Sequence, residues 1–353
     1  MQRIDTEGDE IIRFTLRWPD PEFGFALATP NASIVDEEIY DPDSLRPADA
    51  LPEGSGTYRL VTIGEDEYVF KRFDDYRGPQ PATIPGLRLV IAPDSETAEQ
   101  AISSGEVDAV WRSLSDSALQ RLQAAQPEEE GESSGITIVP PDEAPTRLIR
   151  LAWNPESPNR KNADLRSAIA LSLQADRTLG SLVPTGTAGF FPAFPTGGKP
   201  KMPKPSGKRV RLTLSYSGGA PGMADRARLL RDQIEDGAGI SVRVVADDSE
   251  ADLVLVDQPA AVNTASAWLL AYTDNPLPQS REKLAKLSEE LRATTDQTRR
   301  DELLEAIQKK AAEDLTVIPV SQGVQPIVLG EGVSLAAQPY GPGFQLGLWS
   351  FRR

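Results

Sequence analysis

Leu148–Arg177, LIRLAWNPESPNRKNADLRSAIALSLQADR, constrains the fold more than any other stretch of this chain. Leu148, Ile149 and Leu151 begin an apolar strand. Asn154-Pro155 ends it, because proline removes a ladder donor and asparagine favours turns. Asn162 or Asp164 can cap the helix that follows. Leu165, Ala168, Ile169, Ser172 and Leu173 recur at three- and four-residue spacing and give that helix one apolar stripe. A strand, a turn and an amphipathic helix in direct succession are half of an α/β unit, and they carry no chemistry of their own.

These residues resemble the start of the second lobe of family 5 extracytoplasmic solute-binding proteins, the peptide- and nickel-binding subunits of ABC importers. The matching positions are Trp153, Asn154, Pro158, Asp164, Arg166, Ala168, Ile169, Ala170, Asp176 and Arg177. Further matches follow the family's order. Gly54, Gly56, Tyr58 and Leu60, then Tyr68–Phe73, Tyr76 and Gly78, resemble a tight turn feeding two strands, with Thr57 where the family has proline. Gly105-Glu106-Val107-Asp108 resembles a helix end returning as a short strand, which would set Glu106 and Asp108 on one face. Arg299, Arg300, Leu303, Ile307, Gln308, Glu313 and Asp314, with Ile318-Pro319, resemble the family's last long helix and the strand after it.

The resemblance implies a two-lobed α/β periplasmic-binding fold (type 2, peptide-binding subtype), its first lobe lacking the N-terminal part. Lobe one would be 1–146 plus 320–353 and lobe two 147–319, with crossings near Thr146–Leu151 and Val317–Val320. Residues 87–110 and 210–257 should then lie in different sheets. The 353 residues suit two domains at a prior of about 150 each. The chain would be a fragment or shortened relative that begins downstream of a targeting segment. In full-length form it would be extracytoplasmic and membrane-anchored as a lipoprotein.

Local signals fill in the rest. Ile11–Trp18 and Leu87–Ala92 read as strands. Asp94 caps Ser95–Ser104 and Gly105 closes it. Ser113–Gln123 reads as a short helix, and Glu128–Glu130 with Gly131–Gly135 as a solvated acidic loop. Lys199, Lys201, Lys204 and Lys208 lie in a basic Pro/Gly linker. Val210–Tyr216 is a strand, Ser217–Gly222 a Gly-rich loop, and Met223–Glu235 a helix. Ile240–Val245 and Asp252–Asp257 are strands, Arg281–Arg292 and Gln297–Asp314 helices, and Ile327–Leu329 and Phe344–Trp349 closing strands.

Composition narrows function. The chain has no histidine and no cysteine. That removes Cys nucleophiles, Ser-His-Asp triads and zinc sites together, so no enzyme, cofactor or metal is expected. A net charge of −16 opposes nucleic-acid or anionic-membrane partners. Gly54-Ser55-Gly56 has no Gly-Lys-Ser/Thr after it and does not make a phosphate loop.

Ser266–Pro276, SAWLLAYTDNP, bears most directly on function. The resemblance implies that this stretch lies in the cleft between lobes, and that Trp268, Tyr272, Asp274, Trp153 and Asn154 touch the ligand. Trp268 is read either as a flat contact on the cleft wall or as a buried strand residue beside Leu269 and Leu270. Peptide-binding members carry an acid three residues after the tryptophan, which holds the peptide's α-ammonium by a charge-assisted hydrogen bond. That position is Ala271 here. Two functions are therefore weighed. One is a monomeric solute-binding subunit that delivers a peptide or other small solute to an ABC permease. The alternative is a non-transport relative acting through contacts with a protein of the cell envelope in lipoglycan assembly.

Overall fold

The computed structural model describes residues 1–36, 38–41, 43–47, 49–126, 135–139, 147–202, 209–217, 220–259, 262–323, 326–336, 339–341 and 345–353. The chain opens with β1 (Arg3–Glu7), β2 (Ile11–Thr15) and α1 (Phe23–Leu27), then β3 (Tyr58–Ile63), β4 (Glu67–Arg72) and β5 (Gly86–Val90). Next come α2 (Ser95–Ser103), β6 (Ala109–Trp111), α3 (Asp116–Ala124), β7 (Ile136–Val139), β8 (Arg147–Trp153) and α4 (Ala163–Ser172). They are followed by β9 (Arg211–Tyr216), α5 (Met223–Ala238), β10 (Ser241–Ala246), β11 (Leu253–Pro259) and α6 (Ala265–Thr273). The chain ends with α7 (Arg281–Ala293), α8 (Gln297–Asp314), β12 (Val317–Gly323), β13 (Ile327–Gly330), β14 (Ser334–Leu335) and β15 (Phe351–Arg352).

Two compact units form. The larger holds Met1–Leu27, Ala144–Gly218 and Met223–Gly323, and the smaller holds Ala28–Glu143, Gly219–Gly222 and Val324–Arg353. Residues 1–27 thus group with the larger unit, where the sequence suggested the other lobe. Contacts distant in sequence accompany this grouping. Glu22 accepts from the Arg300 guanidinium at 2.6 Å and from Ser266 Oγ at 3.1 Å. Arg292 lies over the Trp18 ring at 5.5 Å. β12 also stays with the larger unit as far as Gly323, four residues beyond the expected end at Pro319.

The larger unit is built on a five-stranded sheet in the order β10-β9-β11-β8-β12. β9 runs parallel to β10 and β11, and β8 runs antiparallel to β11 and β12. Leu148, Ile149, Leu151 and Trp153 of β8 are all buried, so both faces of this strand are covered. Pro319 sits at a register shift at the sheet edge, where the missing N–H costs no ladder bond. The turn after β8 is tied to the start of β11. Asn154 Nδ2 donates to the carbonyls of Ser249 and Ala251, and Asp252 accepts from Ser157, Asn159 and Thr213. Asn162 caps α4 by accepting from the Leu165 N–H.

Buried arginines lock α4 to this sheet through main-chain carbonyls. Arg177 donates to Pro319 on β12 at 3.0 Å, to Pro195 at 2.7 Å and to Ala170 on α4 at 2.8 Å. Arg166 donates to the carbonyl of Asp314 at 2.6 Å and to that of Arg160. Burial pushes the Arg177 guanidinium down to about 10, so it stays charged at neutral pH. Leu315 takes a left-handed φ of 53° and closes α8, donating its N–H to Ala311.

The smaller unit holds separate sheets. β3-β4-β5 is an antiparallel meander, β6-β13-β7 a three-stranded sheet, and β14-β15 a pair. Its core is Ala98, Ile102, Val110, Leu114, Ala118, Leu122 and Val328. The strands within 87–110 and those within 210–257 therefore occupy different sheets, as expected. Glu106 and Asp108 are exposed in the turn before β6 and are not on a strand. Residues 348–350 form a 3-10 turn and the closing strand is Phe351–Arg352, not Phe344–Trp349. Glu128–Glu130, Gly131, Thr146, Lys204, Lys208, Gly218, Gly219 and Phe344 lie outside the described residues.

Two outcomes test this frame. Arg166→Met should cost about 2–4 kcal/mol, because each orphaned buried carbonyl costs roughly 1–3, and a thermal melt reads it. For Asp252, burial raises the carboxyl, but the hydrogen bonds from Ser157, Asn159 and Thr213 outweigh it and hold the pKa below the ordinary value. A carboxyl with a depressed folded pKa adds stability above its unfolded value of about 3.9, lost as pH falls through the folded one. Asp252→Asn should therefore lose stability at pH 7 and show a shallower acid-induced decline in melting temperature than the wild type.

Candidate functional site

The stretch expected to touch ligand is a helix, not a strand. Thr264 caps α6, its Oγ1 accepting from the Ala267 N–H at 3.3 Å. Alanine and leucine favour this state, and an apolar run this short fits helix and strand equally by periodicity. The Thr264 cap was the signal in the sequence that would have separated them. A helix that is apolar on nearly every side belongs in a core.

Trp268 is 1% exposed and donates its indole N–H to Asn263 Oδ1 at 3.0 Å. Tyr272 is 0% exposed and donates its hydroxyl to Asp314 Oδ2 at 2.8 Å. The same carboxylate takes Lys310 Nζ at 2.8 Å on Oδ1. Burial and the Asp314 hydrogen bond push the Tyr272 phenol far above its ordinary range. Burial opposes the Lys310 charge, but the bonds to Asp314 and Glu313 prevail and raise its pKa. Tyr272, Asp314, Lys310 and Arg166 thus form one satisfied network behind α6. Leu270, 51% exposed, and Asp274, exposed at the helix end, are the outward groups of this segment.

Trp153 is buried on β8, its Nε1 without a hydrogen-bond acceptor. Asn154 spends its side chain on the β8 turn: Nδ2 on Ser249 and Ala251, Oδ1 on the Glu156 N–H. The structure therefore brings Trp268, Tyr272 and Asp314 together as packing and hydrogen bonding. It does not gather Trp153, Asn154 and Asp274 with them through any direct hydrogen bond.

Two cations were missed in the sequence. Arg150 on β8 donates to Gln258 Oε1 at 2.8 Å, and burial lowers its guanidinium to about 10. Arg112, at the end of β6, stacks over Trp111 at 4.2 Å. An arginine inside or just after a short strand carries no motif, so only the fold reveals that these are half-buried. Among the described residues, no cluster of three or more carboxylates comes together to hold a metal, and no helix is long and apolar enough to cross a membrane.

A mixed α/β chain with this element order is that of a periplasmic-type binding protein. The chain belongs to the bacterial extracellular solute-binding proteins of family 5: the model for "Bacterial extracellular solute-binding proteins, family 5 Middle" matches residues 1–281. Proteins of that family bind solutes and are not enzymes. No curated protein matches the chain. Among solved structures it is similar to a dipeptide binding protein from Pseudoalteromonas sp. SM9913 in complex with Met-Leu. The TM-score is 0.80 at 18% identity, over 100% of this chain and 75% of that one. It is similar also to the ABC transporter-associated periplasmic binding protein DppA from Helicobacter pylori, in complex with peptide STSA. There the TM-score is 0.79 at 16% identity, over 99% of this chain and 73% of that one. NikZ from Campylobacter jejuni, in complex with Ni(L-His), gives a TM-score of 0.74 at 15% identity, over 99% and 78%.

The burial of Trp268 predicts a core cost. Trp268→Ala should lose about 3–5 kcal/mol and lower the melting temperature by about 8 °C or more. A fall of under about 3 °C would show that the ring contributes little to the core.

Proposed function

We propose that this chain delivers a small solute, a peptide or a metabolite of similar size, to an ABC permease, and that it does not grip a peptide through a free α-ammonium at α6. Membership of family 5 and the peptide, dipeptide and nickel–histidine ligands of the similar structures support solute binding. Ala271 carries the second half of the reading. The resemblance matches residue 271, an alanine, to the acid of peptide binders, and an alanine would leave a desolvated ammonium without a counter-charge, which costs several kcal/mol. Asp314, the carboxylate hydrogen-bonded to Tyr272 of this helix, is already committed to Tyr272 and Lys310. Trp268 and Tyr272 enter this reading as the packed backing of α6, with Asp274 as its solvent-facing acid.

The same alanine favours a second reading, a non-transport relative that works through protein contacts in the cell envelope. Lipoprotein anchoring belongs to both readings. Isothermal titration with a di- to pentapeptide pool separates them. On the first reading, free-amine and N-acetylated peptides bind within about twofold of each other, a difference of under 0.5 kcal/mol. Binding that N-acetylation weakens more than about tenfold would contradict the Ala271 account and point to Asp274. No heat with peptides or small solutes, together with capture of an envelope protein, would favour the second reading.

A further inference from the structure

Among the described arginines, Arg112 is the one with a left-handed backbone. It closes β6 with φ at 63°, in the left-handed region that long side chains enter only at a cost. Backbone strain of this kind persists where the surroundings fix it, and it gathers at ligand-holding sites. The side chain folds back over its neighbour, the guanidinium 4.2 Å from the centre of the Trp111 ring. Nε is buried and has no hydrogen-bond acceptor. Burial lowers the pKa of the guanidinium, and Tyr340 partly offsets that.

No carboxylate pairs with Arg112 among the described residues. This is not for want of acids, since the chain has 53 Asp and Glu against 37 Lys and Arg. Arg121, on the helix that follows β6, is held by Glu99 through both Nε and Nη2. A half-desolvated cation left without a counter-ion in so acidic a chain has its fork of donors unspent. Other parts of the smaller unit come close. Gly222, with φ at 73°, lies against Ser115, three residues beyond Arg112.

We propose that Arg112 is a ligand contact, taking a carboxylate of the bound solute on the guanidinium fork while Trp111 backs the cation. A planar carboxylate matches one guanidinium with two parallel hydrogen bonds. A phosphate dianion asks for more positive charge than one arginine supplies in a chain of net charge −16. The inference rests on the solute-binding reading and narrows it to carboxylate-bearing solutes.

Matched N-acetylated di- to pentapeptides, as free acids and as C-terminal amides, test it by isothermal titration. The wild type should bind acids at least about tenfold more tightly than amides, and Arg112→Gln should abolish that preference. Arg112→Gly removes the side chain and relieves the left-handed strain. It should melt no lower than the wild type and should also lose the preference. The inference is overturned if acids and amides bind alike, if Arg112→Gln keeps the preference, or if Arg112→Gly melts well below the wild type, as a packing role requires. Equal binding of acids and amides would leave the solute-binding reading standing. No binding of either form to the wild type would bring down the peptide reading and this inference together.

Discussion

A buried guanidinium must find acceptors for its five donors, and the larger unit depends on how it does so. Arg166, Arg177 and Arg300 are buried. Arg166 and Arg177 spend their donors mainly on backbone carbonyls at element ends: Asp314 at the end of α8, Pro319 at the bulge of β12, Ala170 on α4. Arg300 does the same with Leu291 and Thr294, and adds the Glu22 carboxylate. Each carbonyl is one that helix or sheet leaves unpaired, so one side chain satisfies several orphan groups and fixes the spacing of three segments at once. A lysine, with one compact ammonium, could not span them.

The most recognisable residues of the chain are the ones spent on this frame. Arg166, Arg177, Arg300, Gln308 and Asp314 carry the resemblance, and all five are buried. Gln308 accepts from Ser181 and donates to the Gly189 carbonyl, closing the loop after α4 against α8. Residues of this kind are constrained by the frame, whatever the ligand. The two proposals accordingly place ligand choice at positions that the frame leaves free, Ala271 and Arg112.

The frame was legible in the sequence because its signals are local. Asn162 and its apolar stripe gave α4, Asp94 gave α2, and the resemblance gave α8, within a residue or two. What was not legible depends on contacts distant in sequence. The grouping of residues 1–27 turns on Glu22 meeting Arg300, 278 positions away. α6 was misread because Ala-Trp-Leu-Leu-Ala has no period to distinguish helix from strand, and burial decided it. Arg112 was missed because a left-handed φ and a buried Nε without an acceptor arise only in the folded chain, not from residue spacing.

The central claim is that carbonyl-bound arginines, rather than ligand, hold the larger unit together. Hydrogen–deuterium exchange on ligand-free Arg177→Met, read by mass spectrometry, tests it most directly. The account predicts faster exchange confined to β12, α4 and the segment around Pro195, with 54–126 of the smaller unit unchanged. Wild-type protection in β12 and α4 would contradict it.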